Sequence, residues 1–202
     1  YSAVRLGAQT EMIGSVLRGP AGMGVEIVGD SVRLSDVRIV GAGGIGLSTG
    51  SSGYHLLDSD SLTVTGGDTI PARVGIAQLA RLTASLAWQD SLTGNAEDAV
   101  EITGGTLVEE TLTLGAGLGW WASDDVRVDS AAVLVVKPGA RWEWSGGYNP
   151  PYLRVTNGGR LEARGTADST IVFTARDSTD SYGWGGLYFE GTPSDTSYLT
   201  NV

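Results

Sequence analysis

Short runs in which apolar and polar residues alternate, each closed by a glycine, recur along the first half of this chain. Val16-Leu17-Arg18-Gly19 leads to Val25-Glu26-Ile27, and Val37-Arg38-Ile39-Val40-Gly41 leads to Ile45-Gly46-Leu47. Leu62-Thr63-Val64-Thr65-Gly66 leads to Val74-Gly75-Ile76, and Leu92-Thr93-Gly94 to Val100-Glu101-Ile102. The turn glycines Gly19, Gly41, Gly66 and Gly94 stand 22, 25 and 28 residues apart. Steps of that size mark a chain that stacks one supersecondary unit on the next instead of wrapping a single round core. Alternation with period two places one face of each strand inside and the other in water. Parallel sheets covered on both faces read as unbroken apolar runs, so alternation on this repeat predicts a hollow-profile solenoid walled by strands. One stretch departs from the rhythm. Leu79, Leu82 and Leu86 stand three and four apart, the spacing of a short helix over 77–86, but Leu82 also lines up with Leu57 and Leu34 in the repeat, and a strand is expected there.

From about Val126 the phrase tightens. Val133-Leu134-Val135-Val136-Lys137-Pro138-Gly139-Ala140-Arg141-Trp142-Glu143-Trp144 is echoed by Tyr152-Leu153-Arg154-Val155-Thr156-Asn157-Gly158-Gly159-Arg160-Leu161-Glu162-Ala163, 19 residues on. Pro138-Gly139 and Asn157-Gly158-Gly159 supply the preset and positive φ angles that tight turns between strands require. Two further strands are predicted at Ile171-Val172-Phe173-Thr174 and Gly186-Leu187-Tyr188-Phe189. The organisation expected is a first series of coils over 1–103, an irregular junction over 104–125 and a second series over 126–202. The chain opens on Tyr1 instead of Met, and residues 197–202 read as a strand getting under way. It is therefore expected to be a segment of a longer polypeptide whose coils continue.

Composition supports this picture and narrows the partners. The 31 glycines among 202 residues exceed the ~7% of ordinary usage and cluster between Val/Ile/Leu/Thr runs instead of at every third position, which excludes collagen. An apolar fraction of 41% is enough to fill a narrow core. With 23 acidic residues against 13 basic ones the chain carries a net charge of −10, so nucleic acid and anionic lipid are disfavoured. The absence of cysteine removes disulfide and thiol chemistry. No apolar run reaches the ~18 residues a membrane-spanning segment needs.

The second half resembles a known family. Leu134-Val135-Val136-Lys137-Pro138-Gly139-Ala140, the run Gly159-Arg160-Leu161-Glu162-Ala163-Arg164-Gly165-Thr166-Ala167, Ile171-Val172-Phe173-Thr174 and Gly183-Trp184-Gly185-Gly186-Leu187-Tyr188-Phe189 are similar to bacterial secreted and cell-surface proteins of the right-handed parallel β-helix class. Residues 1–103 resemble the pectate-lyase-type β-helices in general rhythm. The resemblance implies an all-β, right-handed parallel β-helix and an extracellular or cell-surface setting. It implies no reaction, because such modules serve adhesins, surface proteins and carbohydrate-active enzymes alike.

Candidate chemistry is sparse. His55 is the sole histidine, and no nucleophile elbow accompanies it, so it reads as a surface or strand-edge residue. The acidic pairs Asp58/Asp60, Asp124/Asp125, Asp177/Asp180 and Glu109/Glu110 are the sort of oxygen donors that hold Ca²⁺ or hydrolyse glycosides. The glycine-rich calcium repeat is missing, and loop aspartates ordinarily cap turns. No cofactor and no catalytic residue is therefore expected, with calcium the one alternative left open. Arg154 and Arg160 flank a turn and reach toward any anionic sugar, yet alternation places them on the wet face opposite Leu153, Val155 and Leu161.

Aromatic residues give the best candidates for contact. Trp142 and Trp144 share a face, so both point in or both point out, and the interior is expected. Trp120 and Trp121 are adjacent and face opposite ways, so one of them is exposed. Trp120 and Trp121, with the loop residues Tyr148 and Tyr152, form the expected ligand-contact set. Threonine pairs such as Thr63/Thr65 do not recur coil after coil, which argues against an ice-binding face. The function expected is a non-enzymatic extracellular stalk or surface module, used for adhesion or assembly, in a longer bacterial protein. Its partners are then the rest of the polypeptide or neighbouring copies. The alternative is a carbohydrate-active or glycan-binding β-helix acting on polysaccharide.

Overall fold

The computed structural model describes residues 1–50, 56–82, 91–177, 179, 183–191 and 197–202. The fold is a right-handed parallel β-helix, and the chain divides into two compact units, Tyr1–Glu101 and Ile102–Val202.

In the first unit β1 (Ser2–Leu6), β3 (Met23–Ile27), β5 (Leu47–Thr49) and β7 (Ala72–Val74) pair in parallel as one wall, and β2 (Glu11–Arg18), β4 (Arg33–Val40) and β6 (Asp60–Thr65) form another. Register follows the glycine repeat. Glu11 lies opposite Arg33, a step of 22, and Val37 opposite Leu62, a step of 25. The turn glycines stack as read from the sequence: Gly19 N–H donates to Val40, Gly41 N–H to Thr65 and Gly66 N–H to Gly94, and all four glycines hold positive φ, from 58° to 83°. Val25 and Ile27, Val37 and Ile39, and Leu62 and Val64 all turn inward and are buried.

The stretch expected to be a strand near residues 77–86 is instead an α-helix, α1 (Ile76–Leu82). Ala77, Gln78, Leu79, Ala80, Arg81 and Leu82 include no β-branched residue, so local preference favours helix. Ile76, Leu79 and Leu82, three apart, are all buried. The alignment with Leu34 and Leu57 fails for a register reason. Leu34 N–H donates to the Ser59 hydroxyl at 3.0 Å, and Leu57 is exposed. Leu86 lies outside the described residues.

β8 (Ala99–Ile102) lies across the division between the units. Residues 104–125, expected to be an irregular junction, carry β9 (Gly105–Val108), β10 (Thr111–Leu114) and β11 (Gly119–Ala122). The second unit continues with β12 (Val126–Asp129), β13 (Val133–Val136), β14 (Arg141–Trp144), β15 (Tyr152–Val155), β16 (Arg160–Arg164), β17 (Val172–Ala175), β18 (Gly186–Phe189) and β19 (Tyr198–Thr200). Every third strand stacks, which makes three walls: β11-β14-β17, β9-β12-β15-β18 and β10-β13-β16-β19. The 19-residue echo is therefore a step from wall to wall. True coil steps lengthen along the unit, from 21 (Gly105 opposite Val126) and 22 (Gly119 opposite Arg141) to 34 (Tyr152 opposite Gly186) and 36 (Glu162 opposite Tyr198).

The interior of this unit is a set of columns. Leu112, Leu134 and Leu161 stack in one, and Trp120, Trp142 and Phe173 in another. Trp144 sits in register between Ala122 and Ala175, so two small residues leave room for one indole. Both Trp142 and Trp144 are fully buried, as expected from their shared face. Among the described residues no helix is long and apolar enough to cross a membrane.

Candidate functional site

The wall β9-β12-β15-β18 carries the most varied chemistry on the second unit. Alternation turns Val126, Val128, Leu153 and Val155 inward and leaves the intervening side chains outside. The register sets these outward residues as a grid of three rows. Over β12, β15 and β18, Asp125, Arg127 and Asp129 form the first row; Tyr152, Arg154 and the buried Thr156 form the second; Gly186, Tyr188 and Glu190 form the third. Rows lie one strand spacing apart, ~4.8 Å, and positions within a row about 7 Å apart.

Asp125 organises the near corner. Its Oδ1 accepts the Tyr152 backbone N–H at 3.2 Å. Side-chain hydrogen bonding to Asp125, with desolvation and the adjacent negative charge, pushes the Tyr152 phenol above its ordinary value. The Arg154 guanidinium lies 4.7 Å from the Tyr152 ring centre, and its Nε stands 3.4 Å from Glu190 Oε2. Tyr188 meets Tyr152 edge to face, with ring centres 5.5 Å apart, and is itself 43% exposed. Glycine at position 186 holds φ at +110°, a backbone conformation that side chains rarely adopt, whereas a Cβ built there would meet only Tyr188 Cε2, in ordinary contact at 3.8 Å. At the far corner Asp129 accepts from Ser130 N–H at 2.7 Å and from Asn157 Nδ2 at 3.2 Å. Desolvation works to raise its pKa, but the hydrogen bonds from Asn157 and Ser130 hold the carboxyl below the usual range. Arg127 stands exposed at the centre of the first row.

The expected contact residues fare unequally. Tyr152 belongs to the grid, whereas Tyr148 is 86% exposed in the turn between β14 and β15. Trp120 is not a contact residue. It is 1% exposed, and its Nε1 donates to the Gly115 carbonyl at 2.8 Å, because β11 turns positions 120 and 122 inward. Trp121 faces outward as its parity demands, with the Arg176 guanidinium 4.3 Å over its ring. Arg176 Nη1 in turn approaches Glu143 Oε2 at 3.6 Å, and Arg141 Nε donates to Glu143 Oε1 at 2.7 Å.

The acidic pairs are engaged locally. Asp58 pairs with Arg81 at 3.2 Å, Asp60 accepts from the Ser35 hydroxyl at 2.7 Å and Asp124 caps the Asp125 N–H at 2.8 Å. Asp177 accepts from the Thr179 hydroxyl and N–H, which lower its pKa. Glu109 takes a positive φ of 55°, at a turn after β9. Among the described residues no three His, Cys, Asp or Glu side chains group as a metal site would require. His55 and Asp180 lie outside the described residues. Arg154 and Arg160 occupy the wet face beside Leu153, Val155 and Leu161, as alternation predicts. Sequence reasoning missed Tyr188, Arg127 and Glu190 as neighbours of Tyr152, because a step of 34 residues separates Tyr152 from its partner Gly186.

Neither a curated protein nor a solved structure matches this chain. A family model described as a pectate-lyase-like β-helix domain matches residues 94–197. That span takes in more than half of the 202 residues and every strand of the second unit up to β18, so the chain belongs to the family of pectate-lyase-like β-helix domains.

Proposed function

We propose that this chain is a non-enzymatic, rigid surface module of an extracellular bacterial protein, serving display, adhesion or assembly. The observation that carries this reading is the in-register stacking of apolar residues from one turn of chain to the next within each unit. Val37 lies over Leu62, Leu134 over Leu161 and Trp142 over Phe173 with no polar interruption between them. Each turn of chain is then held by its neighbours alone, and stability sums along the stack. Ion pairs such as Arg5–Glu26 and Arg154–Glu190 bridge successive turns on the outside, each worth only ~0–1 kcal/mol at such exposure. Pulling the chain by its ends in a single-molecule force experiment should give a stepwise record. One coil of 21 to 36 residues would release about 70–130 Å. Featureless extension at low force overturns the stalk, and new reducing ends released from a polysaccharide panel overturn the absence of catalysis.

A second reading, a glycan-binding β-helix, is favoured by the grid on the β9-β12-β15-β18 wall. Tyrosine faces flanked by guanidinium and carboxylate groups match the mixed apolar and hydroxyl surface of a sugar ring. Retention of the chain on immobilised polysaccharide supports this reading, and loss of that retention in Tyr188→Ala places it on this wall.

A further inference from the structure

The glycan-binding reading leaves the charge class of the saccharide open, and the grid speaks to it. Three carboxylates, Asp125, Asp129 and Glu190, share the wall with two guanidiniums, Arg127 and Arg154. Arg154 is committed within the protein, since it lies over Tyr152 and faces Glu190 at 3.4 Å. That leaves Arg127 as the cation offered outward, and an aspartate flanks it on each side within its own row. An acidic sugar placed against Arg127 would bring its carboxylate close to both aspartates, in a chain whose net charge is already −10. Uncharged hydroxyls suit the same groups far better. Carboxylate oxygens accept from them, and the guanidinium donates to them.

Resting on that second reading, we propose that the β12-β15-β18 wall binds an uncharged saccharide, with Tyr188 as the stacking face and Arg127, Asp125 and Asp129 as partners for its hydroxyls. The two tyrosines divide the work. Tyr152 is held from below by Asp125 and covered by Arg154, so it braces Tyr188, and Tyr188 keeps its own surface open. Asp129 is anchored by Ser130 and Asn157, which presents its remaining lone pairs in a fixed direction.

The test uses the whole chain against an array of neutral and uronate-containing oligosaccharides, followed by calorimetry on the strongest ligand of each class. Neutral glycans are expected to bind, with affinity unchanged within about twofold between low and high salt. Tyr188→Ala should weaken binding about tenfold, the value of one aromatic contact, and Tyr188→Phe should retain it. Arg127→Gln should weaken it as well, and Arg38→Gln, on the first unit, should not. Circular dichroism of each variant separates loss of binding from loss of fold. Tighter binding of the uronate ligand with a steep salt dependence overturns the charge inference and leaves the glycan reading standing. Neutral binding indifferent to both Tyr188→Ala and Arg127→Gln overturns this site. Binding of no saccharide overturns both.

Discussion

Trp142 and Trp144 stack inside the second unit with ring centres 4.8 Å apart and planes 15° from parallel. They are two residues apart on one strand, so the contact follows from the pleat and needs no partner from elsewhere in the chain. Trp184 extends the stack by lying 4.5 Å from Trp144 on its other side. Neither buried indole N–H of the pair has a hydrogen-bond partner, so the column is held by packing alone.

Truncating the centre of that column should be costly. Trp144→Ala leaves an indole-sized cavity between Ala122 and Ala175, and a loss of about 3–5 kcal/mol is expected. Ala122→Leu overfills the same space and should cost about 1–3 kcal/mol. Urea unfolding monitored by circular dichroism measures both. Equal tolerance of the two substitutions would contradict the packing described.

Two glycines of the first unit should differ in their tolerance of alanine. Gly66 holds φ at +67° with its nearest neighbour, Gly41 N, 3.6 Å from an added Cβ, so only the backbone penalty of about 1–2 kcal/mol applies. At Gly46 an added Cβ would stand 2.6 Å from the Pro71 carbonyl and overlap the Val64 side chain, both of them interior features. Gly46→Ala should therefore destabilise more than Gly66→Ala in the same denaturation assay. The reverse order would mean that the turn column, and not the close approach of neighbouring coils, sets the limit.

The Tyr152–Asp125 hydrogen bond has an alkaline signature. The folded phenol has a raised pKa, so its stabilising contribution is complete below the unfolded value near ~10 and disappears as pH rises through the folded value. Ultraviolet titration should show one tyrosine ionising above the ordinary range. Asp125→Asn should return that tyrosine toward the ordinary range and flatten the fall in stability above about pH 10. An unchanged titration would mean that Asp125 does not hold the phenol.

Inside and outside were legible from alternation within single strands, even strands of four residues. The pairing of Trp142 with Trp144, the opposite facing of Trp120 and Trp121 and the stacked glycines all follow from an extended backbone, whose side chains change sides at every residue. Reading both Trp120 and Trp121 as contact residues went beyond that rule, and Trp120 is interior. The helix at Ile76–Leu82 was obscured because its leucines satisfied the coil repeat and the helical spacing at once.

Neighbours across a wall were another matter. Arg176 covers Trp121, and Tyr152 braces Tyr188, only because the turns between strands have the lengths they do. Coil steps run from 21 to 36 residues in the second unit, so no fixed repeat brings those partners together. The amino-acid order therefore dictates which side chains face inward, since that is a local property of each strand. Which outward side chains share a surface depends on how far each turn carries the chain before it rejoins the stack, and the packed columns beneath settle that.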